Sequence, residues 1–194
     1  MSTPPLRLAI VVASVREGRF GPTVGNWFTS IAKQREDLTV DVIDLVDHQL
    51  PMALSHNPSP EVAAELAKIS PRLEQADAFV VVTPEYNHSF PATLKSLIDW
   101  HSTQWQAKPV GFVSYGGLSG GLRAVEQLRP IFAELHAVTV RDAVSFHTPW
   151  GQFDENGAPK DPSGPEAAAK VLLDQLAWWG NALRDARAKH PYGS

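Results

Sequence analysis

The 194-residue chain contains no cysteine. Disulfides, thiolate nucleophiles, iron–sulfur clusters and cysteine-ligated zinc are therefore excluded, and any redox chemistry has to come from a bound cofactor. Excess positive charge is also lacking. Lys and Arg number 17 against 21 Asp and Glu, a net charge of −4 with histidine neutral, so there is no basic footprint for nucleic acid or an anionic membrane. No apolar run approaches the roughly 20 residues that cross a bilayer. The start, Met1-Ser2-Thr3-Pro4-Pro5, has no charged region followed by an apolar core, so no signal peptide is expected and the expected compartment is cytoplasmic. The seven histidines show no ligand spacing, so no metal is expected. What is present is the composition of a globular chain, 43% hydrophobic and 20% charged. The length suits one full core, and without repeats or linkers a single domain over 1–194 is expected, with a loose tail at 190–194.

Apolar runs and helical spacings alternate along the chain. Leu6 to Ala13 reads as a buried strand, followed by a polar loop from Ser14 to Pro22 and a helix on Val24, Trp27, Phe28 and Ile31 that ends near Glu36. Leu38 to Leu45 reads as a strand nearer an edge, and 46–60 as irregular. Pro60 starts a helix with Val62, Leu66, Ile69 and Leu73 as its stripe, which Pro71 should kink or split. Ala78 to Val82 is a third strand, broken at Thr83-Pro84. The loop Pro84 to Pro91 follows, and Pro91 opens a helix facing inward with Leu94, Leu97 and Ile98.

The fourth strand is Ala107 to Tyr115, with Gly116 to Gly121 as its loop. The next helix carries Val125, Leu128, Ile131, Phe132 and Leu135, with Pro130 an irregularity. Ala137 to Phe146 is a fifth strand. Residues 147–165 form a proline- and glycine-rich excursion suited to a lid or a partner contact. A last helix, Glu166 to about Arg187, should bury Val171, Leu172, Leu176, Trp179 and Leu183, with Trp178 and Trp179 packing it down. The reading is an α/β doubly wound five-stranded parallel sheet, order 2-1-3-4-5, with helices on both faces.

In that topology the loops after strands 1, 3 and 4 share one rim, where such sheets hold ligands. The first loop offers Ser14, Arg16, Arg19 and backbone N–H groups before a helix, a set suited to a phosphate; solvated surface arginines are the alternative. It has neither the G-x-G-x-x-G pattern nor a P-loop lysine. The second, pinned by two prolines, carries Glu85, Tyr86 and Asn87 and looks built to hold something flat. The third places Tyr115 beside glycines that let a backbone approach a ligand. Gly117-Leu118-Ser119-Gly120-Gly121 also fits G-x-S-x-G, with Asp142 and His147 downstream in the order a hydrolase triad needs. Against that rival, no HGGG-like oxyanion segment precedes it, and Asp142 and His147 are close in sequence.

Ser14-x-Arg16, Pro84-Glu85-Tyr86-Asn87-x-Ser89-x-Pro91-x-x-Leu94-Lys95-x-x-Ile98-Asp99 and Ser114-Tyr115-Gly116-Gly117 together resemble the NAD(P)H-dependent FMN reductase family, which includes quinone, azo-dye and chromate reductases. The resemblance covers about the first three quarters of the chain. It implies a flavodoxin-like fold and bound FMN. The phosphate would sit on Ser14, Arg16 and the turn Arg19-Phe20-Gly21, and the ring would be framed by Pro84, Glu85, Tyr86, Asn87, Ser114, Tyr115, Gly116 and Gly117. Two departures stand out: Ala13 where the family often has glycine, and Arg19 where it has a small hydroxyl residue.

NADPH or NADH would reduce the flavin, which would then reduce a small acceptor such as a quinone or free flavin in the same slot, with no protein nucleophile. His88, His101, Trp105 and Trp150 are candidate walls of that slot, with surface histidines and packing tryptophans the commoner alternative for each. A homodimer or homotetramer is implied. An electron carrier without nicotinamide chemistry is the alternative, although such carriers are usually more acidic than this chain.

Overall fold

A computed structural model describes residues 4–193. Met1 to Thr3 at the expected leaderless start, and Ser194 at the end of the tail, lie outside the described residues. Five strands, β1 (Leu6–Val12), β2 (Leu38–Asp44), β3 (Ala78–Pro84), β4 (Pro109–Gly116) and β5 (Val138–His147), form one all-parallel sheet in the order β2-β1-β3-β4-β5. Alternate side chains leave each strand on opposite faces. Leu8, Ile10, Val80 and Val82 meet α1 (Gly21–Ala32) and α5 (Ser163–Lys189) on one face. Ala9, Val11, Phe79 and Val81 meet α2 (Pro60–Gln75), α3 (Ala92–Asp99) and α4 (Leu122–Glu134) on the other. With both faces covered, β3 and β4 are buried along their whole length, which is why they read as unbroken apolar runs. The chain leaves β1 for β2 and returns to β3 on β1's other side. That reversal opens a crevice at the carboxyl ends of β1 and β3.

Several boundaries differ from the sequence reading. β3 does not break at Thr83: Thr83 and Pro84 stay in register with Ser114 and Tyr115. Because proline lacks an N–H, the next bond comes from Glu85 N–H to the Tyr115 carbonyl at 3.1 Å. α1 begins at Gly21, so Pro22 sits in its first turn, where a missing N–H costs nothing. It ends at Ala32 rather than near Glu36. α2 is not split at Pro71. Ile69 and Leu73 are buried on either side of the proline, and the Lys108 ammonium donates to the Leu73 and Glu74 carbonyls at 3.0 and 2.7 Å, tying down the last turn. Val62 and Leu66 on the same helix are only half-buried.

The largest correction falls on α5. Its buried stripe is Ala169, Leu172, Leu173, Leu176, Ala177 and Gly180, a helical repeat that leaves Val171 and both tryptophans off the core face. Trp178 is 65% and Trp179 37% exposed, stacked edge-to-face on each other at 5.0 Å rather than packed inward. Leu183 is half-buried. β5 is a sheet edge, and side chains blunt it. The Arg129 guanidinium donates to the Val140 and Arg141 carbonyls at 2.8 and 2.9 Å, and Gln175 accepts the Asp142 N–H. The segment after β5 is anchored: Phe153 is buried against Phe20 and Phe146, at 5.3 and 5.0 Å between rings, and bridges Pro159. In the tail, Tyr192 Oη lies 2.8 Å from His136 Nδ1.

Candidate functional site

The loop from β1 to α1 carries Ser14 to Phe20. Among the described residues none of its backbone N–H groups from Ser14 to Gly21 makes a hydrogen bond of good geometry, the turn at Glu17-Gly18 included, so they remain available to an anion at the start of a twelve-residue helix. Beneath them lie two buried hydroxyls, Ser14 Oγ and Tyr115 Oη, each without a partner. Burial pushes the Tyr115 phenol well above its usual pKa. The Ser14 hydroxyl is near enough to offset part of that rise, though the two do not complete a bond of good geometry. A buried polar group left unpaired costs about 1–3 kcal/mol, so an orphaned pair calls for a ligand. Both hydroxyls crowd the space beside Gly21, where a Cβ would stand 2.1 Å from Ser14 Oγ and 3.0 Å from Tyr115 Oη. Only glycine leaves that space open.

The two arginines of this loop do different things. Arg16 is exposed, with its guanidinium 5.3 Å from the Tyr86 ring centre in a cation–π contact. Arg19 points neither to solvent nor into the cavity. Its Nη1 donates to the Ser14 carbonyl at 2.8 Å and to Asp44 Oδ1 at 2.5 Å, and the bond to Asp44 holds its pKa above the ordinary value. Arg19 thus braces the loop against the end of β2.

The loop after β3 closes into a tight turn, with Tyr86 and Ser89 exchanging backbone bonds at 2.8 and 3.0 Å. Asn87 and His88 at its tip have φ of 49° and 72°. That left-handed conformation costs a non-glycine residue roughly 1 kcal/mol or more, and such strain concentrates where a backbone has to be held in one shape. Glu85 is tied to the loop after β4 and the start of α4. Its carboxylate accepts from the Ser119 hydroxyl, and from the Arg123 N–H and guanidinium at 3.3 Å each. Near the end of β4, Ser114 Oγ donates to the Gly120 carbonyl of the following loop at 2.9 Å, so that hydroxyl fastens the loop rather than facing the crevice. Gly121, at φ 86°, leaves room where a Cβ would come within 2.8 Å of the Tyr115 nitrogen.

These loops enclose a cavity of about 180 Å³ whose walls include Arg16, Phe20, Pro84, Glu85, Tyr86 and Trp150, with Tyr115, Gly116 and Gly117 at its β4 side. A cleft of about 340 Å³ beside Val15, Leu45 and Leu97 is larger, but it gathers none of the β3 or β4 loop residues. Of the four candidate walls, Trp150 alone lines the cavity. Trp105 is fully buried between Phe79 and Phe132, at 4.6 and 5.3 Å. His101 is buried on Ser70 Oγ and the Leu97 carbonyl, and burial lowers its pKa. His88 sits exposed at the turn. Asn87 lies at the turn too, beside the cavity rather than in its wall.

The hydrolase arrangement is not formed. Ser119 is bonded to Glu85, the His147 ring to the Leu118 carbonyl at 3.0 Å, and Asp142 to Gln175 and Arg141. Sequence reasoning missed Asp44, Arg123 and Gln127, which hold the loops from outside. The only trace of the last two in the sequence is their four-residue spacing on α4, common to any solvated helix face.

The unpartnered hydroxyls of Ser14 and Tyr115 at the α1 start and the cavity between the three loops share Tyr115 and lie at the same rim of the sheet. The model of the NADPH-dependent FMN reductase family matches residues 6–151. An NAD(P)H-dependent FMN reductase of Schizosaccharomyces pombe is 33% identical over 122 residues, 59% of this chain and 60% of that protein. A 2-hydroxy-1,4-benzoquinone reductase of a Burkholderia species is 32% identical over 94% of this chain and 98% of its own. Among solved structures, the flavoenzyme NAD(P)H:(acceptor) oxidoreductase of Paracoccus denitrificans superposes with a TM-score of 0.69 at 21% identity, covering 91% of this chain and 98% of that one. That likeness shows the fold, which is flavodoxin-like. By its match over three quarters of its length, the chain belongs to the NADPH-dependent FMN reductase family.

Proposed function

We propose that this chain binds FMN in the crevice between the three loops and oxidises NADPH or NADH to reduce a quinone, free flavin or similar small acceptor. The observation that carries the reading is the orphaned pair, Ser14 Oγ and Tyr115 Oη, buried beneath a run of unpartnered N–H groups at the start of α1. A phosphate would satisfy that donor set, so the residues present fit the group. Ser14, Arg16 and the backbone of Phe20 and Gly21 would hold the phosphate. Arg19 would serve from behind, by fixing the Ser14 carbonyl through its pair with Asp44. Pro84, Glu85, Tyr86 and Asn87 on one side, and Ser114, Tyr115, Gly116 and Gly117 on the other, would frame the ring through their backbone.

Bound FMN supplies the hydride and electron transfer. The chain orients the reactants and offers favourable electrostatics. The positive end of α4, beginning at Leu122 beside Gly121, would stabilise negative charge on a ring edge. Trp150 would give an aromatic wall to a second flat reactant. No side chain is needed as a nucleophile or obligatory general acid. We further propose that 1–194 acts as one domain, in the cytoplasm, as a homodimer or homotetramer. Among the described residues no helix is long and apolar enough to cross a membrane, and no cluster of His, Asp and Glu could hold a metal ion.

The direct test is titration of the purified protein with FMN and with riboflavin, followed by quenching of flavin fluorescence. FMN should bind more tightly than riboflavin. A protein that binds neither would refute the flavin reading, and hydrolysis of a nitrophenyl ester lost in Ser119→Ala would revive the hydrolase.

A further inference from the structure

Gln127 uses both ends of its amide on a single loop. Its Nε2 donates to the His88 carbonyl at 2.7 Å and its Oε1 accepts from the Ser89 hydroxyl at 2.6 Å. One helical turn earlier Arg123 holds Glu85, and Ser119 adds its hydroxyl to the same carboxylate. α4 therefore grips the loop after β3 at both ends of its tight turn, Glu85 before it and His88-Ser89 within it. The turn between carries the two left-handed non-glycine residues, Asn87 and His88, and neither of their N–H groups has a partner among the described residues. A strained turn survives only where its surroundings over-determine it. Besides the Tyr86–Ser89 backbone pair and the bonds on Glu85, the side-chain bonds made directly to the turn come from one exposed polar side chain, Gln127. Among the described residues that side chain makes no other hydrogen bond.

We propose that Gln127 is a positioning residue for the flavin ring: it holds the Asn87–His88 turn in its strained shape, so that the unpartnered backbone donors there stay aimed for one ring edge. The proposal rests on the FMN reading above and adds to it a residue outside the three rim loops. Gln127 acts through the turn and touches no reactant. Both bonds are already made without flavin, so their loss costs affinity only through the order it takes from the turn, and two neutral bonds cap that fall at about thirtyfold.

The test is Gln127→Leu, near in size and unable to bond, with Gln127→Glu beside it. The carboxylate of the second variant keeps an acceptor for Ser89 but has no donor for His88. Dissociation constants for FMN and riboflavin are measured together with the midpoint potential of the bound flavin. Gln127→Leu should weaken both flavins by the same factor, up to about thirtyfold, and lower the potential, since loosened donors stabilise the reduced ring's charge less. Gln127→Glu should fall between it and wild type. Unchanged affinities with a lowered melting temperature would overturn the proposal, showing a purely structural bond. So would a loss confined to FMN, which would place the effect at the phosphate. If Gln127→Leu does not fold, Ser89→Ala removes one of the two bonds from the loop side and should give the same pattern at smaller size. A wild-type protein that binds neither flavin fails the FMN reading itself, an outcome distinct from a wild type that binds both and a variant that matches it.

Discussion

Gly21→Ala is the sharpest probe of the proposed phosphate site, because its expected effect on the fold is small beside its expected effect on the ligand. The added Cβ would stand 2.1 Å from Ser14 Oγ, 3.0 Å from Tyr115 Oη and 3.2 Å from Val12 Cγ1. The worst clash is with the tip of a small side chain that can rotate, so Ser14 yields rather than the backbone. Replacing glycine in a helix by alanine gains up to about 1 kcal/mol, and residual crowding against Tyr115 and Val12 offsets it by about 1 kcal/mol. Net stability should stay within roughly 1 kcal/mol of wild type, a melting shift of about 2–4 °C at most for a domain of this size.

The ligand should feel it far more. A rotated Ser14 forfeits a charge-assisted bond to phosphate worth about 1.5–3 kcal/mol, a ten- to hundredfold loss of FMN affinity. Riboflavin, which has no phosphate, should bind as to wild type. Fluorescence titration reads both. Ser14→Ala should reproduce the loss, and the double variant should be no worse than either single one, since both remove the same bond. An equal loss for riboflavin, or full retention of FMN affinity, would refute the assignment of Ser14 and the α1 terminus to a phosphate.

Arg16→Ala should weaken FMN much more than riboflavin and flatten the salt dependence of FMN binding, because the exposed guanidinium beside Tyr86 is screened by ions; equal losses would contradict it. Lys108 gives a stability test away from the site. Burial lowers its pKa from 10.5 to about 8, so between those values the unfolded chain binds a proton that the folded chain does not, and stability rises with pH across that window. In urea unfolding, wild type should gain on Lys108→Met by roughly 1–3 kcal/mol between pH 8 and 10.5. A difference that does not change with pH would show that Lys108 is not the group responsible.

How much of this could be read in advance follows from the range of the interactions. β1, β3 and β4 announced themselves because burial on both faces demands uninterrupted apolar residues. The alternation of strands and helices gave a parallel sheet, and its order was read as the commonest one for five strands with right-handed crossovers, which the structure has. The loop proposed for the phosphate could be singled out because its polar groups are local, Ser14 and Arg16 lying within a few residues of the α1 start. What stayed hidden is non-local. Arg19 finds Asp44 from the end of β2, a pairing that exists only once β1 and β2 lie side by side. Trp105 took the packing role that was its commoner reading, while Trp179, expected to pack, is exposed. An isolated tryptophan between helix and strand gave no sign that Phe79 and Phe132 would enclose it. On α5 the small residues Ala177 and Gly180, rather than Trp179, face the sheet. Ser119 fitted a nucleophile motif by spacing alone, and its partner, Glu85, lies on a different strand's loop.

The central claim is that this crevice couples a nicotinamide donor to a bound flavin. Anaerobic titration of the FMN-loaded protein with NADPH, and separately with NADH, tests it most directly through the visible flavin spectrum. At least one of the two should bleach the oxidised flavin band stoichiometrically, and later addition of a quinone should restore it. A flavin that stays oxidised with both nucleotides yet accepts electrons from dithionite would contradict the reductase account and leave an electron carrier in its place.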